Sequence, residues 1–136
     1  MTDASMRMTL WASVLLNGTG AFLFAFPTLP IGARLGLPAP VSPLYNILCA
    51  LFVGLFGCAY WWLVRQPQIH RPLVAFAALT KASVFAVFLI FWMSGVVTTL
   101  GLLVVFPHLV VAFLFGWWLN QGRNATTSER QNEKHS

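Results

Sequence analysis

Three polar side chains stand deep inside stretches of this 136-residue sequence that are otherwise apolar: Asn17, Lys81 and His108. Each can do chemistry that its neighbours cannot. An ammonium binds an anion or gives up a proton, an imidazole does either or ligates a metal, and a carboxamide offers both donors and an acceptor. What is missing narrows the list. The only acids are Asp3, Glu129 and Glu133, so residues 4 to 128 hold no carboxylate. Acid–base catalysis through paired carboxylates is therefore excluded, and so is an ion pair for Lys81 within that region.

Lys81 is the candidate with most at stake. A charge near the middle of a bilayer costs about 3 kcal/mol on insertion scales and more on others. The bland alternative is a lysine whose stem reaches back to the interface. Its other options are Asn17, the hydroxyls of Thr80 or Ser83, backbone carbonyls, water, a neutral state with a lowered pKa, or a bound anion. His108 follows Pro107, whose ring removes a helix hydrogen bond and frees the carbonyl of Leu103. An imidazole beside a free carbonyl can take a proton, a ligand or a metal, or simply serve as a hydrogen-bonded core residue.

Other chemistry finds no support. No second histidine sits in another apolar stretch to complete a haem, and no paired Cys or His spacing suggests a metal. No phosphate loop or nucleophile elbow is present. No catalytic residue, cofactor or metal site is assigned. Cys49 and Cys58, nine positions apart, lie about 13 Å apart along a helix, too far for a disulfide. They are expected to be small packing residues.

The elements that must carry these groups follow from hydropathy. The chain is 58% apolar and 8% charged, against roughly a quarter charged in soluble domains. Lipid is the solvent that suits it, and the four apolar runs are near residues 8–27, 44–64, 73–93 and 98–119. The first is too long for a signal-peptide core. Pro30, Pro38, Pro40 and Pro43 with Gly32 and Gly36 break the chain after it, and Ile31 to Leu37 is expected to form a short interfacial turn. Residues 65–72 form a polar hairpin. Residues 72–120 would make a single helix of about 74 Å, so they must cross twice, with the break at Met93-Ser94-Gly95. The expected fold is an all-α membrane four-helix bundle, up-down-up-down, followed by a polar disordered tail at 121–136.

Four crossings put both termini on one side, with Arg7, Arg65, Arg71, Arg123, Arg130 and Lys134 there and Arg34 opposite. The positive-inside rule then places both termini in the cytoplasm of a bacterial inner membrane. Trp11, Trp61, Trp62, Trp117 and Trp118 mark the same boundary, and Trp92 marks the far one. The +5 net charge is scattered, which argues against nucleic acid as a partner; the lipid bilayer, a homo-oligomer or a larger membrane complex are the partners expected.

Counted at 1.5 Å per residue from the terminal side, Asn17 lies about 14 Å deep, Lys81 about 13 Å and His108 about 16 Å. Gly54 and Gly57 fall at similar depth. Small residues also recur every four positions: Ser13, Asn17, Ala21, Ala25; Ala50, Gly54, Cys58; Ala78, Ala82, Ala86; His108, Ala112, Gly116. Such lines are expected to be the contact faces of the bundle.

The Asn17-Gly18-x-Gly20 run leading to Pro27, the proline-rich loop, the Tyr45–Tyr60 stretch and Lys81 in the third span together resemble the small bacterial four-helix membrane proteins of the DoxX-like kind. The resemblance covers about residues 8 to 120 and implies a four-helix fold; it says little about activity. Small multidrug exporters, which carry a glutamate in the first span, and fluoride channels are poorer matches. The expected function is non-enzymatic: an accessory subunit, or a binder of a small lipophilic or anionic ligand at the Asn17–Lys81–His108 layer. The alternative is a proton-coupled transporter or channel acting as an oligomer.

Overall fold

The computed structural model describes residues 2–34 and 42–134. Four long helices and one short one account for nearly all of them: α1 (Asp3–Ala25), α2 (Pro30–Arg34), α3 (Pro43–Arg65), α4 (Arg71–Met93) and α5 (Thr99–Lys134). No strand occurs among the described residues. Over Asp3–Ala25, Pro43–Arg65, Arg71–Met93 and Thr99–Gln121 the helices are long and apolar enough to cross a membrane. Twenty-three residues rise about 35 Å, so each clears the hydrocarbon with a turn to spare. The architecture is that of a multi-pass membrane protein.

Local chemistry sets the ends. Thr2 caps α1, its hydroxyl accepting from the Ser5 amide at 3.3 Å. Pro43 and Pro72 sit at the first positions of α3 and α4, where a missing N–H costs nothing. The turn after α4 is set by Gly95 at φ +77°: its amide reaches Trp92 O, and the Val96 amide reaches Phe91 O at 2.9 Å. This is the paired closure of a helix by a left-handed glycine, at the break expected from Met93-Ser94-Gly95. The Thr98 hydroxyl then accepts from the Gly101 amide and starts α5.

The helices pack as two hairpins, α1 against α3 and α4 against α5, which meet mainly along α1 and α5. Each interior seam steps by threes and fours: Met6, Leu10, Ser13, Asn17 on α1; Gly57, Tyr60, Val64 on α3; Val74, Ala77, Lys81 on α4; Val111, Phe115, Trp118 on α5. That is the spacing of near-parallel helices with interlocking side chains. The apolar core of Met6, Leu10, Tyr60, Leu63, Val64, Val74, Ala77, Val111, Phe115 and Trp118 fills the half of the bundle next to the termini.

Two arginines fasten that end. Arg7 donates to Val64 O, to Gln66 O at 2.8 Å and to Pro67 O at 3.1 Å, capping the last carbonyls of α3 with a cation. Arg71 donates to Leu119 O and lies 5.2 Å from the centroid of the Trp118 ring, tying α4 to α5.

Three expectations are corrected. The small-residue lines are not uniformly the contact faces. Ala86 and Gly116 are exposed, and nothing lies within 4 Å of where a Gly116 Cβ would stand; the buried lines of α4 and α5 run one position away, through Ala77–Lys81 and Val111–Phe115, because larger side chains fill the space between the hairpins. Cys49 and Cys58 are exposed free thiols instead of buried packing residues, and the approach of α3 to α1 runs through Gly54 and Gly57. Trp118 lies in the core, with the Arg71 guanidinium 5.2 Å from its ring centroid at the end of the bundle next to the termini. The stretch 121–134, read as disordered from its polarity, continues α5 as helix; beyond Gly122 it holds no Gly or Pro to stop it, and Glu, Arg, Gln and Lys are good helix formers. His135 and Ser136, like the part of the expected interfacial turn at 35–37, lie outside the described residues; Pro30–Arg34 forms the short helix α2.

Candidate functional site

Lys81 has 2% of its surface exposed and is among the largest fully buried side chains in the described protein. It does not reach back to the interface. A side chain on a helix leans toward that helix's N-terminus, and here that direction leads onto the core of Val74, Ala77 and Phe115. The ammonium donates to Asn17 Oδ1 at 2.6 Å across the seam between the two hairpins. It also lies 5.2 Å from the centroid of the Tyr60 ring, where the negative face of an aromatic attracts a cation.

Asn17 is itself 5% exposed, and the sequence explains how it fits. A Cβ on Gly57 would lie 3.4 Å from Asn17 Cβ, 3.9 Å from Gly18 N and 3.9 Å from Val14 O. Gly57 thus lets the backbone of α3 come close enough to hold Asn17 against α4. One turn along the same contact a Gly54 Cβ would lie 3.8 Å from Ala21 Cβ. Gly54 and Gly57 thus mark where α1 and α3 run close together.

The layer contains more donors than partners. An ammonium has three N–H groups, and one is used. Among the described residues the buried Tyr60 hydroxyl has no hydrogen-bond partner, and neither does Nδ1 of His108. Tyr60 is 4% exposed. Its ring lies 6.4 Å from that of Phe115, and Phe115 stands two turns below His108 on the same face of α5. Nδ1 of His108 is thus orphaned among the described residues. His108 is therefore not a satisfied core histidine, although α5 continues unbroken through Pro107. Of the two hydroxyls considered for Lys81, that of Thr80 donates to Phe76 O instead, while Ser83 is exposed.

The structure thus joins Asn17 to Lys81 directly, while His108 makes no hydrogen bond to either among the described residues. It adds Tyr60, which sequence reasoning missed. The available signal was its place in the seam, three positions from Gly57 and four from Val64. The adjoining tryptophans pointed to the interface, and its position did not show how far the ring reaches inward.

No group of three or more His, Cys, Asp or Glu side chains that could hold a metal ion occurs among the described residues. Beside the layer, α1 and α5 form an open, almost wholly apolar groove of about 600 Å³, with Leu16 and Pro107 at the end next to Asn17 and His108. Comparison with protein-family models, with curated proteins and with solved structures found no match to this chain.

Proposed function

We propose that this chain is a non-catalytic, bacterial inner-membrane protein with both termini in the cytoplasm. It binds a small anion, free or carried on a lipophilic molecule, at the layer formed by Asn17, Lys81, His108 and Tyr60, and acts as an accessory subunit to the process that uses that ligand. The DoxX-like resemblance supports the four-helix topology and leaves the ligand open. One observation carries the proposal: an ammonium buried to 2% exposure whose one hydrogen bond among the described residues goes to a neutral amide. Burying a charge is costly unless it is paired, and an unsatisfied buried donor costs a further 1–3 kcal/mol or so. An anion is the complementary ligand for these groups, because the remaining Lys81 N–H groups, the Tyr60 O–H and the Nδ1–H of a neutral His108 tautomer are all donors. A single net positive charge calls for a monoanion.

The test is native mass spectrometry of the protein released from lipid nanodiscs made with its host's lipids. Wild type is expected to carry an additional small acidic molecule that Lys81→Met does not. Identical spectra from the two proteins would remove the proposal.

A second reading draws on the orphan Nδ1 of His108, at nearly the depth of Lys81 along the helices. A titrating pair of this kind suits proton-coupled transport, in an oligomer because four helices barely enclose a path. Proton-driven flux into reconstituted vesicles would have to fall in His108→Ala; flux indifferent to that change eliminates it.

A further inference from the structure

The three arginines that cluster where α3 meets α4 are not equivalent. Arg7 donates to three backbone carbonyls and Arg71 to a fourth, so both guanidiniums are engaged in fastening helices. Arg65, the last residue of α3, is exposed and makes no hydrogen bond to the described protein. It is nevertheless held: its guanidinium lies 4.2 Å from the centroid of the Trp61 ring, one turn earlier. Beside it the Trp62 ring stacks on His70, centroids 6.3 Å apart and planes within 3°.

From these contacts we infer that Arg65 and His70 form a binding site for the phosphate of an anionic phospholipid in the leaflet on the side of the termini. Four features support it. The guanidinium is a planar fork of donors whose geometry matches phosphate oxygens, and stacking on Trp61 orients it in advance. Trp61 and Trp62 are half-exposed at a helix end, the level where tryptophans meet lipid headgroups. His70 immediately precedes α4, whose side-chain cap is absent; the positive end of that helix faces the same turn. Arg7 neutralises the carbonyls at the end of α3 that would otherwise repel an anion. The one carboxylate among the described side chains, Asp3 in the first turn of α1, forms no ion pair with any of these groups.

A lipid phosphate is favoured over free phosphate because the site stands at headgroup depth beside outward-facing apolar side chains that an acyl chain covers. The experiment is native mass spectrometry of the purified full chain titrated with phosphatidylglycerol or phosphatidylcholine of matched chains, for wild type, Arg65→Gln, Arg65→Lys and Arg34→Gln. Wild type is expected to retain phosphatidylglycerol several-fold better than phosphatidylcholine. Arg65→Gln should lose that preference, Arg65→Lys should keep only part of it, and Arg34→Gln, altered at the opposite end of the bundle, should match wild type. Equal retention of the two lipids by wild type, an unchanged preference in Arg65→Gln, or an equal loss in Arg34→Gln overturns the site. Displacement of bound phosphatidylglycerol by millimolar inorganic phosphate would show that the lipid is not the required occupant and would overturn the assignment as stated. Should Arg65→Gln fail to fold, Arg65→Lys decides the question, since a wild-type preference in that protein refutes the role given to the guanidinium fork.

Discussion

Asn17 and Lys81, 64 positions apart, meet at 2.6 Å in the seam between two helical hairpins, and the two members of this pair do not depend on each other equally. Asn17 without Lys81 is an amide with spare hydrogen-bonding capacity. Lys81 without Asn17 is a buried ammonium with no hydrogen bond in the described protein. The expected asymmetry is that Asn17→Ala destabilises by about 3 kcal/mol, the scale of stripping one partner from a buried charge. Lys81→Met, which removes the charge and keeps the volume, should be neutral or stabilising by about 1–3 kcal/mol. Thermal unfolding of both variants in the same detergent measures the difference. A Lys81→Met protein less stable than Asn17→Ala would mean the ammonium is a net structural asset.

The glycines test how the layer is positioned. Gly57 faces Asn17 and the α1 backbone within 3.4–3.9 Å of a new Cβ, whereas nothing lies within 4 Å of one at Gly18 or Gly116. Gly18→Ala and Gly116→Ala should therefore gain about 0.5–1 kcal/mol from helix propensity. Gly57→Val adds branches where no space remains and should cost about 1–3 kcal/mol, while displacing Asn17 from Lys81. If all three variants unfold at the wild-type temperature, the close approach of α1 to α3 is not what seats the amide.

Much of this was legible in the sequence, and the boundary of legibility is physical. Hydropathy and breakers specify four spans because lipid forbids unpaired backbone. The shared depth of Asn17, Lys81 and His108 was legible because antiparallel helices rise by a fixed amount per residue. Which face each helix turns inward was not. Lines of small residues and lines of the core differ by one position on α4 and α5, a rotation of about 100° that composition alone does not decide. Tyr60 stayed hidden for the same reason, as did the outward turn of Cys58 one position beyond Gly57. The division of labour among Arg7, Arg65 and Arg71 needed side-chain geometry, since all three read simply as positive charge near a helix end.

Orientation is testable independently of any ligand. With Arg7, Arg65 and Arg71 at the end carrying both termini and Arg34 at the other, an alkaline phosphatase fused after Ser136 should be inactive and a fluorescent protein there should be bright. The reverse is expected for insertions between Leu35 and Val41. Active phosphatase at the C-terminus would reverse the topology and move the proposed phospholipid site to the outer leaflet.

Tyr60 separates structure from ligand binding better than any other position in the layer. Its ring faces Lys81 and packs near Phe115, while its hydroxyl is buried without a partner. Tyr60→Phe keeps the ring, its contact with the ammonium and nearly all its volume, and deletes only the unsatisfied group. In protein freed of small molecules that deletion should be neutral or stabilising by about 1 kcal/mol, because a buried hydroxyl with no hydrogen bond is a cost in the folded state. If the hydroxyl is there to donate to a bound anion, the same change should weaken binding about tenfold, the scale of one hydrogen bond to a charged acceptor. The two effects have opposite signs, so unfolding midpoints measured with and without the native extract cross over between wild type and variant. Destabilisation of the ligand-free protein by Tyr60→Phe would show that the hydroxyl has a partner inside the bundle, and the case for an anion at Lys81 would lose one of its three donors.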